Sequence, residues 1–367
     1  MAISTPEAAI HGARLTIDLS AIAENWRRLG ARAPHIPCAA VIKADAYGCG
    51  LVTVAPVLWR AGCRTFFVAH ASEGAIARSV LPEAVIYVLN GLAPGSGPAL
   101  VAHALRPVLG SREELDEWAA LAAETGRPLP AALHVDTGMN RLGLTVADAL
   151  ALAGDPIISA AGIDLLMSHL VSAERPDEAI NRHQCEAFAD VLRAYPGIPG
   201  SLANSSGCYL GEGIANDLLR PGYAIFGGNP TPWRPNPMRP VVRLEASIAQ
   251  VRDVTAGDGA GYNSRWTAPG PRRLATLSVG YADGYPRSAS GRGHALVGGV
   301  PCPIVGLISM DLIILDVTDA SAASRGEPAI LIGESLDVDS VGHAAGTIGY
   351  EILTGLGSRY VRRYVGA

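Results

Sequence analysis

Between residues 38 and 226 the sequence alternates short apolar, strand-like runs with helix-like runs, and this alternation limits the fold more than any other feature. The strand-like runs fall near 38–44, 65–69, 84–90, 106–109, 131–136, 163–168, 200–204 and 219–226. Helix-like stretches separate them, among them 111–125, which opens on a Ser-x-x-Glu capping box at Ser111 and Glu114, and 177–194. Eight strands with intervening helices over about 190 residues predict a closed (β/α)8 barrel of the TIM type rather than an open doubly wound sheet.

The flanks read differently. Residues 15–20 alternate like a strand, and Ser20 is placed to cap a helix over 21–29. At 229–237 the chain becomes a proline-dense linker that neither a helix nor a central strand could contain. Beyond it, alternating runs at 241–252, 273–279, 312–317 and 329–332, broken by Gly, Asp and Pro, read as an all-β domain. The expected organisation is a barrel over 12–228, the linker, and a mainly-β domain over 238–367. The strand at 15–20 is free to join that domain, since eight barrel strands lie downstream of it.

Composition narrows the function. With 49% hydrophobic and 17% charged residues, the 367-residue chain has material for a large core. Its net charge of −5, with 29 Lys and Arg spread along the chain, offers no basic stripe for nucleic acid or an anionic membrane. Residues 1–20 lack the basic-then-apolar pattern of a secretory signal. The uncharged apolar-rich stretch 295–310 is interrupted by Gly299, Pro301 and Pro303 and is too short to span a bilayer. The cysteines at 38, 49, 63, 185, 208 and 302 form no CxxC pair or metal-like spacing, so they read as reduced, buried residues, and no metal is expected. A cytoplasmic protein acting on small molecules is the expectation.

The stretch Val41-Ile-Lys-Ala-Asp-Ala-Tyr-Gly-Cys-Gly50 places Lys43 at the carboxyl end of an apolar run, with Tyr47 one turn later and glycines to make the turn. A lysine there is costly to bury unless it is paired or used covalently, and a desolvated lysine is the usual Schiff-base nucleophile. Taken by itself, a surface lysine snorkelling past the strand end is the commoner outcome. The other polar clusters also fall at predicted strand ends: 134–143, Ser168-His169, Asn204-Ser-Ser206 and Arg220-Pro-Gly222. A barrel builds its active site from those positions.

Val41-Ile-Lys-Ala-Asp-Ala-Tyr-Gly48 resembles the pyridoxal-phosphate signature of the alanine racemase family. Further landmarks follow in the family's order: His134-Val-Asp-Thr-Gly-Met-Asn-Arg-Leu-Gly143, Ser168-His169, Asn204-Ser205, Arg220-Pro-Gly222, Gly261-Tyr-Asn263, Val279-Gly-Tyr-Ala-Asp-Gly284, Ser309-Met-Asp311 and Gly349-Tyr-Glu351. The resemblance implies pyridoxal 5'-phosphate held covalently by Lys43, which is also the base on the D-side of the substrate. It implies Tyr262 as the base on the L-side, with His169 as its relay partner and Arg220 facing the pyridine nitrogen. Tyr47, Ser205, the amides of Gly222 and Tyr223, and Tyr350 match the phosphate cradle. Arg141 matches the residue that binds the substrate carboxylate and the cofactor's phenolic oxygen. The Met310 amide would hold the other carboxylate oxygen, and Tyr281 matches the aromatic at the substrate entrance.

By the same resemblance the activity is interconversion of L- and D-alanine, supplying D-alanine for peptidoglycan, in a homodimer with shared active sites. A broad-specificity or serine racemase of the same fold is the alternative. Local sequence leaves other roles open: Tyr262 as a loop aromatic, and Arg220 as a rim arginine paired with Asp217. One departure stands out. Many members carry a carbamylated lysine that steadies the arginine matched by Arg141; here the position falls on His134. Either His134 with a small anion does that work or other neighbours orient Arg141.

Overall fold

The computed structural model describes residues 12–211 and 217–366. The described residues form two compact units, one within residues 22–225 and 229–239, the other of residues 12–21, 226–228 and 240–366.

The first unit is built on parallel strands in chain order, Ala40–Val41, Thr65–Val68, Val85–Val88, Arg106–Leu109, Ala131–Asp136, Ile163–Met167 and Gly200–Ser201, each beside the next. Their side chains form the core. Phe66, Phe67, Val68, Ile86, Leu109, Leu133 and Leu166 are all buried, the pattern of a sheet covered on both faces.

The eighth strand expected at 219–226 does not form as a strand. Pro221 has no N–H to continue a ladder, and Tyr223–Phe226 winds into a 3₁₀ turn. The barrel closes by a short bridging segment instead. Asp217 N and Arg220 N donate to Gly200 O and Ala203 O on one side. On the other, Leu219 N donates to Pro37 O, while Leu219 O and Pro221 O accept from Ala39 N and Val41 N. The first strand is likewise shorter than the run 38–44, because the chain turns sharply after Val41.

Two helix starts differ from expectation. Asp18, not Ser20, caps the helix Leu19–Gly30: its Oδ1 accepts from Ala21 N at 2.9 Å and from Ser20 Oγ at 2.6 Å. Ser111 caps Arg112–Thr125 through Glu114 N, but the Glu114 carboxylate does not complete the box. It accepts from Gly110 N and Leu92 N, tying the helix start to a neighbouring loop. The helix read as 177–194 runs Ala179–Ala194.

The second unit centres on the strand Val242–Val254. It pairs antiparallel with Ala13–Asp18, Pro328–Ile332 and Arg272–Leu277. Ala13–Asp18 also pairs parallel with Val361–Val365, and Arg272–Leu277 pairs with Ile313–Asp316. The amino-terminal strand, whose inward residues Leu15 and Ile17 are fully buried, therefore lies in this sheet. The region read as all-β also holds two short helices, Val338–Ala345 and Gly349–Thr354, the first capped by Asp337 through Ser340 N.

Candidate active site

Lys43 begins the most unusual backbone of the chain. Ala44, Asp45, Ala46 and Tyr47 all have φ of 53–54°, a left-handed turn without a glycine in it. At ~1–2 kcal/mol per residue, such a turn costs about 4–8 kcal/mol and persists only where surrounding bonds hold it. Those bonds are present. Ala46 N donates to Ile42 O and Gly48 N to Ala44 O, Asp45 Oδ1 accepts from Leu51 N at 2.7 Å, and Glu73 Oε1 accepts from Ala44 N at 2.6 Å. Glycines 48 and 50, at φ 75° and 92°, return the chain to the helix Leu51–Ala61.

The turn sets two side chains at the carboxyl ends of the strands. Burial pulls the Lys43 ammonium below the ordinary lysine value; the Arg141 guanidinium lowers it further, and Glu73 opposes the shift. Tyr47 points into a buried notch, where burial keeps its phenol protonated well above the usual range. There it meets Gly222: a Cβ at that position would strike the Tyr47 hydroxyl and press on Val41. Beside the notch, Ser205 Oγ accepts from Gly222 N at 3.1 Å and Ala224 N at 3.2 Å. Its own proton has no acceptor among the described residues and is available to a ligand. Tyr223 is buried next to these groups. The Ser205 and Tyr47 hydroxyls thus converge on the Gly222 backbone where no larger residue than glycine fits, a pair of groups suited to phosphate.

Arg220 is only 4% exposed. It is not paired with Asp217, whose carboxylate accepts from Gly200 N. Its guanidinium donates through Nη1 to Ser201 Oγ and through Nη2 to Ser168 O, both at 2.6 Å, and lies over the Phe67 ring. No carboxylate among the described residues offsets the charge, and burial lowers its pKa to about 10. Two histidines share this positive surround. Burial and then Arg220 lower His169 to about 3 and His134 to about 4, so both are neutral at physiological pH. Arg141, on the loop that leaves strand Ala131–Asp136, is exposed. Lys43, Tyr47, Arg141, His169, Ser205, Arg220, Gly222 and Tyr223 therefore all belong to the barrel unit.

Sequence reasoning missed Glu73, which acts across 29 residues on Ala44, and Ser201, which holds Arg220. It also missed the Thr137–Ser168–Gln184 network: the two hydroxyls are 2.7 Å apart, and Gln184 Nε2 donates to Thr137 Oγ1 and His169 O. The one available signal was Glu73 at the third position of a helix following a strand end.

Tyr262, Tyr281, Met310 and Tyr350 lie in the β-rich unit. Tyr262 is 66% exposed in a turn where Gly261, Asn263 and Ser264 have positive φ. It lines a surface depression with Ser309, Met310, Asp311 and Leu312. Met310 is 54% exposed, and its amide donates to no acceptor among the described residues. Tyr281 N and Ala282 N donate to Ser309 O and Met310 O, and Arg359 bridges Asp283 at 3.1 Å and Asp311 at 2.8 Å, which fixes the two loops together. Tyr350 is half-buried in the helix Gly349–Thr354.

These features define a class: (β/α)8-barrel proteins followed by a β-rich domain, with a desolvated lysine at the barrel mouth beside a tight hydroxyl-lined notch. The family model for the alanine racemase N-terminal domain matches residues 17–230, and that for the alanine racemase C-terminal domain matches 241–364. The chain belongs to the alanine racemase family. It is 66% identical to the alanine racemase of Methylobacterium nodulans over 357 residues, 97% of this chain and 96% of that one. The crystal structure of alanine racemase from Bartonella henselae with covalently bound pyridoxal phosphate superposes with a TM-score of 0.93 at 40% identity, covering 96% of this chain and 99% of that one. The biosynthetic alanine racemase of Pseudomonas aeruginosa gives a TM-score of 0.90 at 35% identity, over 97% and 99% of the respective chains.

Proposed function

We propose that this chain interconverts L- and D-alanine with Lys43 and Tyr262 as opposed proton-transfer groups. It acts in the cytoplasm as a homodimer with shared sites and supplies D-alanine for peptidoglycan. The observation that carries the reading is the barrel mouth, where a desolvated Lys43 and the Tyr47–Ser205–Gly222 notch sit on one strained turn and its neighbours. Pyridoxal phosphate, when bound, supplies an aldehyde for the Lys43 amine and an electron sink for the substrate's α-carbon.

The residues divide the remaining work. Tyr47, Ser205 and the amides of Gly222 and Tyr223 hold the phosphate, with Tyr350 contributing from the β-rich domain. Lys43 Nζ, made less basic by burial and by Arg141, holds the cofactor and then takes or returns the α-proton on the D-side. The Tyr262 hydroxyl does so on the L-side, and the neutral His169 exchanges its proton. Arg220, whose guanidinium keeps its protons at neutral pH, would donate a hydrogen bond to the cofactor's pyridine nitrogen without protonating it. Arg141 and the free Met310 amide clamp the substrate carboxylate, and Tyr281 narrows the entrance.

One observation supports the shared site. Tyr262, Met310 and Leu312 form an exposed, largely apolar group. Among the described residues, no helix is long and apolar enough to cross a membrane. Turnover of L-alanine, D-alanine, serine and lysine by purified protein, followed by chiral separation, tests the proposal. Racemisation of alanine well ahead of the others is expected; preference for serine or lysine would replace the assignment with a broader racemase.

A further inference from the structure

We propose that Glu73 is a positioning residue for the reactive lysine: its carboxylate holds the near end of the left-handed turn on which Lys43 and Tyr47 are carried. The inference rests on the reading of Lys43 as the cofactor lysine.

Glu73 lies in the first turn of the helix Ala71–Val80. One carboxylate oxygen does what an acidic residue at a helix start ordinarily does: Oε2 accepts from Ala69 N at 2.8 Å and His70 N at 3.2 Å. The other leaves the helix altogether. Oε1 accepts from Ala44 N at 2.6 Å, reaching the first residue of the strained run and the immediate neighbour of Lys43. The two oxygens therefore bind separate parts of the chain.

The turn needs holding at both ends. Its far end is fixed by Asp45 Oδ1 on Leu51 N and by Gly50 N on Asp45 O. At the near end, the Ala44 amide is the group that Glu73 secures. Without that acceptor, Ala44 would relax toward the right-handed region that an alanine prefers. Such a change redirects Lys43 relative to the strand end and draws Tyr47 out of its notch against Gly222. Glu73 also presents its negative charge to Lys43 from the side opposite in effect to Arg141. Both consequences fall on the lysine and the cofactor, while Arg141 and Met310, which take the substrate carboxylate, are untouched.

The test compares holoenzyme variants. Glu73→Gln keeps the size but has one acceptor oxygen and an NH2 group that faces a donor. It is expected to lose kcat by roughly ten- to a hundredfold, since small misplacements of a reacting group are costly, with KM for alanine nearly unchanged and bound cofactor lost faster on dialysis. Ala75→Gly, which weakens the same helix without touching the turn, should keep wild-type kcat. Adding Ala44→Gly to Glu73→Gln should restore part of the loss, because glycine adopts the left-handed conformation without strain. If Glu73→Gln behaves like Ala75→Gly, or if Ala44→Gly restores nothing, Glu73 is only a helix cap and the proposal falls. Should Glu73→Gln not fold, hydrogen exchange on wild-type holoenzyme decides: a protected Ala44 amide supports the proposal and a rapidly exchanging one overturns it. Borohydride labelling separates this from an error about Lys43. Label on another lysine refutes the underlying reading, whereas label on Lys43 with kcat intact in Glu73→Gln refutes only this inference.

Discussion

The Tyr47 hydroxyl occupies the space that any side chain at Gly222 would need. The turn carrying the lysine and the segment that closes the barrel are therefore fitted to each other at this notch. Gly222→Ala should force Tyr47 outward at a cost of about 1–3 kcal/mol, as overpacking usually does. The loss should appear as roughly ten- to a hundredfold weaker cofactor affinity, one factor of ten for each 1.4 kcal/mol. Titration of the apoprotein with pyridoxal phosphate measures it; unchanged affinity would place the phosphate elsewhere.

Lys43 is expected to be the residue covalently joined to the cofactor. Protein as isolated should be yellow, and borohydride reduction followed by peptide mapping should put the pyridoxyl group on the peptide containing residues 41–50. A label on any other lysine would refute the assignment.

Much of this arrangement was legible in the sequence, because apolar runs report burial and polar residues at their ends report the barrel mouth. Lys43, Ser205 and Arg220 all follow that logic. The left-handed turn was not legible: Ala-Asp-Ala-Tyr contains no glycine, and its local preference is for a right-handed helix. One of the bonds on it comes from Glu73, 29 residues from Ala44, which no local window can see. The same limit explains Arg220. Proximity in sequence suggested Asp217 as its partner, but the fold brings Ser201 and Ser168 to it and turns Asp217 to the Gly200 amide. Pro221 was visible in the sequence, and its missing N–H is what reduces the eighth strand to a bridge.

Arg220→Glu should slow racemisation, on the order of a hundredfold, and increase transamination. If Arg220 faces the pyridine nitrogen as proposed, a carboxylic acid in its place could share a proton with that nitrogen and let the ring draw more charge from the substrate. Long-wavelength absorbance during turnover and keto-acid release are the readouts. Unchanged racemisation with neither signal would mean that Arg220 does not face the ring.

Apoprotein stability should fall on mild acidification. His134 and His169 titrate near 6.5 in the unfolded chain but at about 4 and about 3 when folded. Between these limits the unfolded state binds more protons, so stability is present above pH 6.5 and is lost as the pH drops toward the folded values. The slope is about 1.4 kcal/mol per pH unit for each histidine. Urea midpoints of apoprotein from neutral pH down to about 5, compared with His134→Gln, measure one histidine's share. The variant should show a shallower decline, and an identical slope would mean that His134 is not held neutral by the fold.

The proposed shared site makes a prediction that no single-chain arrangement can imitate. Lys43 belongs to the barrel unit and Tyr262 to the β-rich unit, and a dimer of two-fold symmetry would pair each barrel mouth with the partner's β-rich domain. Lys43→Ala and Tyr262→Phe proteins should each be inactive alone. After subunit exchange, one site of the heterodimer collects both lesions and is dead. The other combines an intact Lys43 from the Tyr262→Phe chain with an intact Tyr262 from the Lys43→Ala chain. Activity should return, up to half the wild-type level per heterodimer. If both groups came from one chain, every site would carry one lesion and mixing would restore nothing. A mixture shown by mass to contain heterodimers, yet inactive, would therefore refute the shared site.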